Sequence, residues 1–121
     1  MNFHSKKIKY WIQASRIETL PLSISGIILG SFFAFYNYSF DKVIFILSII
    51  TAISFQILSN FANDYGDGVL GTDNNRIGPK RVIASGNLTL KELKKGIIVN
   101  VFISITLSYS CLLYTSDAAD E

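Results

Sequence analysis

One cysteine, one histidine and two prolines among 121 residues remove several chemistries at the outset. Cys111 has no second cysteine to pair with, so no internal disulfide staples the chain and the redox compartment stays open. His4 stands far from every acidic cluster, which leaves a tetrahedral zinc site without ligands. Charge is scarce where it matters most: Leu20 to Phe40 contains no charged residue at all. No internal repeat or low-complexity tract interrupts the chain, and nothing marks a second domain. A charged, amphipathic segment of some nineteen residues precedes the first apolar run, which is the wrong order for a cleaved secretory signal.

Apolar sequence fills the space left by these absences. Half of the residues are hydrophobic and the mean hydropathy is +0.37. Residues 20–40 and 43–62 are each long enough to cross a hydrocarbon core of roughly 30 Å. A third run starts at Ile97 and is broken only by Asn100 and by hydroxyl side chains that a helix can bond back to its own carbonyls. The pattern predicts an all-α, polytopic transmembrane helix bundle with three spans.

The third run meets a change of character at CLLYTSDAADE. Back-translated, residues 111–121 resemble the mosaic end and adapter of transposase-based sequencing libraries, and they are expected to be a non-native tail. The natural part is then 1–110, in which the third span is cut short at 97–110. Setting aside Asp117, Asp120 and Glu121 leaves six acids against eleven Lys and Arg, a net charge of +5.

Those cations are unevenly placed. Lys6, Lys7, Lys9 and Arg16 precede the first span; Arg76, Lys80, Arg81, Lys91, Lys94 and Lys95 lie between the second and third; only Lys42 lies between the first and second. The positive-inside bias places the N-terminus and the 63–96 segment in the cytoplasm. KKIKYWIQASRIETLPLS suits a helix lying at the interface, with Tyr10 and Trp11 at headgroup depth. Thr19 is a candidate cap before Pro21, and Gly26 with Gly30 suggests close helix approach.

The acid lies just after the second span. Gln56, Asn60, Asn63 and Asp67 recur at steps of four, three and four, so a continuing helix would align them in a stripe beside Asp64. Polar groups on a membrane helix are costly and turn toward a bundle interior or a water-filled cavity. The competing arrangement ends the helix at Asn63-Asp64 and uses Gly66 and Gly68 as a turn. Carboxylates at this spacing suit Mg²⁺ shared with substrate phosphates. DYGDGVLGTDNN does not match a calcium loop. Arg76, Lys80 and Arg81 follow within a turn-rich segment, and cations placed there can neutralise a diphosphate. For Lys91, Lys94 and Lys95 a topogenic role suffices.

The stretch NDYGDGVLGTDNNRIGPKR resembles the first aspartate-rich motif of the UbiA superfamily of membrane prenyltransferases, and closely its 1,4-dihydroxy-2-naphthoate branch. WIQASRIETLPLSISGIILGSFFA is similar to that branch as well, so the resemblance spans about Tyr10 to Ser110. Of the superfamily pattern N-D-x-x-D-x-x-x-D, Asn63, Asp64 and Asp67 match; the last position falls on Gly71, with Asp73 two residues later, as in the naphthoate branch.

The resemblance implies a bundle of about nine spans in the cell (inner) membrane, with a second aspartate-rich loop outside this chain. It implies Mg²⁺ held by Asn63, Asp64 and Asp67, with Asp64, Asp67 and Arg81 catalytic. Asn60, Asn63, Asp73, Lys80, Arg81 and Arg16 become candidates for binding substrate. Asn60 and Gln56 have an alternative role, joining helices by hydrogen bonds, and Arg16 an alternative place at the headgroups. The implied substrates are a polyprenyl diphosphate and 1,4-dihydroxy-2-naphthoate, the implied product a demethylmenaquinone, and the implied surroundings membrane lipid. No nucleic acid or protein partner is inferred. The 121-residue chain alone is expected to be inactive. A prenyltransferase for another aromatic acceptor such as 4-hydroxybenzoate, or a non-catalytic three-span protein with a cation-binding loop, are the rival readings.

Overall fold

The computed structural model describes residues 3–37, 39–71, 77 and 81–120. Those residues form helices and connecting turns: α1 (Phe3–Ser15), a short 3-10 turn (Ile17–Thr19), α2 (Leu20–Tyr36), α3 (Lys42–Leu70) and α4 (Leu90–Asp120). Three helical stretches, Lys6–Tyr36, Lys42–Leu70 and Leu90–Asp120, are long and apolar enough to cross a membrane. The all-α, polytopic reading of the sequence is the architecture observed.

Local chemistry sets the helix ends. Asp41 starts α3 by accepting the Val43 and Ile44 N–H groups at 2.7 and 2.9 Å, the arrangement of an N-cap. Gly71, at φ 66°, ends α3 in the left-handed conformation that glycine adopts without penalty. Thr89 and Glu92 open α4 as a reciprocal capping box: the Thr89 N–H donates to Glu92 Oε2 at 3.0 Å, and the Glu92 N–H to Thr89 Oγ1 at 3.2 Å. Thr19 holds the N-cap position of α2, but its side chain does not cap. Its hydroxyl instead accepts from Gln56 Nε2 at 3.4 Å, while Gln56 Oε1 accepts from Ser23 at 2.6 Å. Gln56 therefore ties α3 to the start of α2.

The helices and the apolar runs do not share their ends. The first helix of membrane length stops at Tyr36, where the Asn37 backbone and side-chain amides both turn back onto the Phe33 carbonyl. The second continues two turns beyond residue 62, so Asp64 and Asp67 sit on a helix and Gly66 and Gly68 make no turn. α4 likewise continues through residues 111–120.

The chain divides into two compact units, residues 1–17 with 57–100, and residues 18–56 with 101–121. In the first, Ala14, Phe61, Val82, Leu88 and Leu93 form a buried cluster, covered by Tyr10, Trp11, Ile57, Tyr65, Ile83 and Ile97. In the second, the buried residues are Ser54 and Ser104, whose hydroxyls lie 2.7 Å apart. Gly26 and Gly30 face open space, and the close approaches expected there occur at Gly68 and Gly96.

Candidate functional site

All the described site residues belong to the first unit. Asn60, Asp64 and Asp67 lie along one side of the last three turns of α3, and two of them are withdrawn from solvent: Asn60 is 3% and Asp64 2% exposed. A carboxylate this deeply buried is tolerable only when paired. Asp64 is paired twice. Arg16 forms an ion pair with Asp64 Oδ1, and Arg81 Nη1 approaches the same oxygen at 2.9 Å. Arg81 Nη1 also meets Asp67 Oδ2 at 2.6 Å, so two carboxylates from successive helical turns converge on one guanidinium nitrogen.

The segment after α3 delivers Arg81. Val82 and Leu88 are buried anchors on either side of a tight turn. Ser85, Gly86, Asn87 and Leu88 return their N–H groups to the carbonyls of Arg81, Ile83, Val82 and Val82. Gly86 takes φ 71° to close it. Ile83 packs against the helix at Gly68: a Cβ there would stand 2.7 Å from Ile83 Cγ2, so the segment comes this near only because Gly68 has no side chain.

Arg16 reaches the cluster through an unusual backbone. Its N–H donates to the Gln13 carbonyl at 3.2 Å and its φ is 47°, the left-handed region where a residue with a Cβ costs roughly 1–2 kcal/mol. Glycine is the usual occupant of such a helix-ending position. Beside it, Asn60 Nδ2 donates to the Ser15 carbonyl at 2.9 Å and satisfies an acceptor that the end of α1 leaves open. Asn60 thus serves as a clasp between helices, and Arg16 turns onto Asp64 rather than out to headgroups.

Asn63 departs from its companions. At about 100° per residue it falls on the edge of the polar stripe, and its side chain is exposed. Asp73 and Lys80 lie outside the described residues. Trp11 packs against its own unit, its ring meeting Phe61 edge-on with centroids 5.5 Å apart, while Ile8 and Ile12 of α1 are exposed.

Among the described residues no three His, Cys, Asp or Glu side chains gather as a metal cage. Asp64 and Asp67 nevertheless supply two hard oxygens around a single cationic nitrogen. That donor set suits a cation that takes most of its shell from water and phosphate, as Mg²⁺ does, and does not suit a cation that needs an all-protein cage. Arg81 between the two acids shows that the position accepts positive charge.

An all-helical chain with three helices of membrane length and a balanced aspartate–arginine cluster at the end of one of them defines a multi-pass membrane protein with a polar site. The model of the UbiA prenyltransferase family matches residues 23–118, and the chain belongs to that family. It is 44% identical over 94 residues to a protein of Escherichia coli K12 named 1,4-dihydroxy-2-naphthoate octaprenyltransferase, covering 77% of this chain and 30% of that one. It is 42% identical over 112 residues to the Haemophilus influenzae protein of the same name, covering 90% and 36%. A Mycobacterium tuberculosis protein, again so named, is 35% identical over 75 residues, covering 62% and 26%. The chain therefore spans about a third of the length of the curated relatives it matches. No solved structure matches.

Proposed function

We propose that this chain is part of a 1,4-dihydroxy-2-naphthoate polyprenyltransferase. The reaction breaks the allylic C–O bond of a polyprenyl diphosphate and forms a C–C bond to the naphthoate ring, which loses its carboxylate as CO₂. Diphosphate and the hydroquinone form of demethylmenaquinone, demethylmenaquinol, are the products, because no step in the transfer oxidises the 1,4-diol. The observation that carries the reading is the meeting of Asp64 and Asp67 on Arg81, in a chain whose relatives bear that enzyme's name.

The candidate residues divide the tasks of this scheme. Asp64 and Asp67, with Asn63 at the rim, would hold Mg²⁺, and that ion supplies Lewis-acid stabilisation of charge building on the departing diphosphate. Arg81, already poised between the acids, turns one face to the same developing charge, which is where binding energy accelerates the step. Asn60 fixes the end of α1 against α3 from within the site. Lys80 and Asp73 are proposed to extend the diphosphate contacts. The concentration of Lys and Arg before α2 and between α3 and α4 supports a cytoplasmic site in the cell (inner) membrane. Residues 111–121 remain proposed as a non-native extension of α4.

The test is direct. In a full-length protein carrying this sequence, Asp67→Ala is expected to abolish Mg²⁺-dependent prenyl transfer while leaving membrane insertion intact. Retained transfer would remove Asp67 from the site.

A further inference from the structure

Three attachments of α1 fall one turn apart on a single face of that helix: Lys7 pairs with Glu92, Trp11 packs on Phe61 and Gly96, and Ser15 with Arg16 meets Asn60 and Asp64. The middle one is the tightest. A Cβ at Gly96 would stand 2.5 Å from Trp11 Cζ3 and 2.6 Å from Cη2, so the indole lies in a notch that only glycine leaves open. Ala14, fully buried about one turn beyond Trp11, lets the helix stay close as it approaches α3.

We propose that α1 is a positioning element for Asp64, in which Trp11 seated over Gly96 sets the register of the helix and Arg16 is the positioning residue that holds the carboxylate. The proposal rests on the functional reading above only for what Asp64 then does. Anchoring alone would be met by Trp11, Ala14 and the Lys7–Glu92 pair. It would not need a residue other than glycine in the left-handed position that ends α1. A strained backbone that returns a guanidinium to a carboxylate 2% exposed is the arrangement expected where side-chain placement outweighs local comfort. Asn60 acts on the same joint, holding the carbonyl immediately before Arg16.

The consequence is coupling between Gly96 and Asp64 through Arg16. It is measured in the full-length protein purified in detergent, as a double-mutant cycle on the melting temperature with Gly96→Ala and Arg16→Ala. Arg16→Ala is expected to lower Tm in the unmodified background and to have less than about half that effect once Gly96→Ala has displaced the helix. Equal shifts in both backgrounds overturn the proposal. Should Gly96→Ala not accumulate, Trp11→Ala replaces it in the cycle, and equal shifts again overturn the proposal.

Kinetics supply the readout that a purely structural role would not move. Gly96→Ala is expected to lower kcat by about 10- to 100-fold through a misplaced charge, with the prenyl donor's KM within about 2-fold. Trp11→Leu added to Gly96→Ala restores kcat, and Arg16→Lys keeps a measurable part of what Arg16→Ala loses. Unchanged kcat in both Gly96→Ala and Arg16→Ala overturns the positioning role. If the unmodified protein transfers no prenyl group, the functional reading fails by itself, and the melting cycle still decides the positioning claim.

Discussion

The two units of this chain are built inside-out relative to each other's chemistry. Every buried hydrophobic residue among those described lies in residues 1–17 and 57–100, around Leu93 and Val82, and every ion pair described there serves the same unit. In residues 18–56 and 101–121 the buried groups are two serine hydroxyls, while Leu29, Phe33, Phe102 and Ile105 are 60–68% exposed. One unit is organised as in water, with an apolar cluster and satisfied charges. The other is organised for hydrocarbon, where apolar side chains gain little by leaving the solvent and small polar contacts supply the specificity. The polar site belongs to the water-like unit, where the buried carboxylate of Asp64 has cationic partners at hand.

The comparison is broken most severely at Asp64. Asp64→Ala leaves Arg16 and Arg81 without the carboxylate they share, and unfolding in detergent is expected to be easier by about 3–5 kcal/mol, the usual consequence of removing one partner from a buried ionic group. Stability equal to the unmodified protein would show that the cluster is not the organising feature of its unit. Leu93→Ala, at a fully buried position, is expected to cost about 2–5 kcal/mol, whereas Leu29→Ala on the lipid-type surface changes the same unfolding curve little. Matching losses at the two leucines would erase the distinction between the units. A smaller loss than at Leu93 is expected at Ser54→Ala, about 0.6 kcal/mol for the hydroxyl contact with Ser104, as measured by the same denaturation.

How much could be read in advance also differs between the units. The apolar runs announced α2, α3 and α4 because a membrane demands continuous helix, and the demand is written in composition. The steps of four, three and four announced the polar stripe of α3. They could not announce that Asn63 is exposed while Asn60 is buried, since which members of a stripe are covered depends on what packs against it. Arg16 and Asp64 are 48 residues apart, and no local pattern joins them. The choice between the glycines escaped for the same reason: Gly26 and Gly30 carry the helix-packing spacing, yet Gly68 and Gly96 take the close contacts because Ile83 and Trp11 arrive there from elsewhere in the chain. One local signal was available: Thr89-Leu90-Lys91-Glu92 has the spacing of a capping box and marks where α4 begins.

Gly68 lies one residue beyond Asp67, and Ile83 two beyond Arg81, so the close approach that the absent side chain permits stands next to the ion pair. The separation of acid and base then depends on a residue that carries no charge: a side chain at position 68 would push Ile83, and Arg81 with it, away from Asp67.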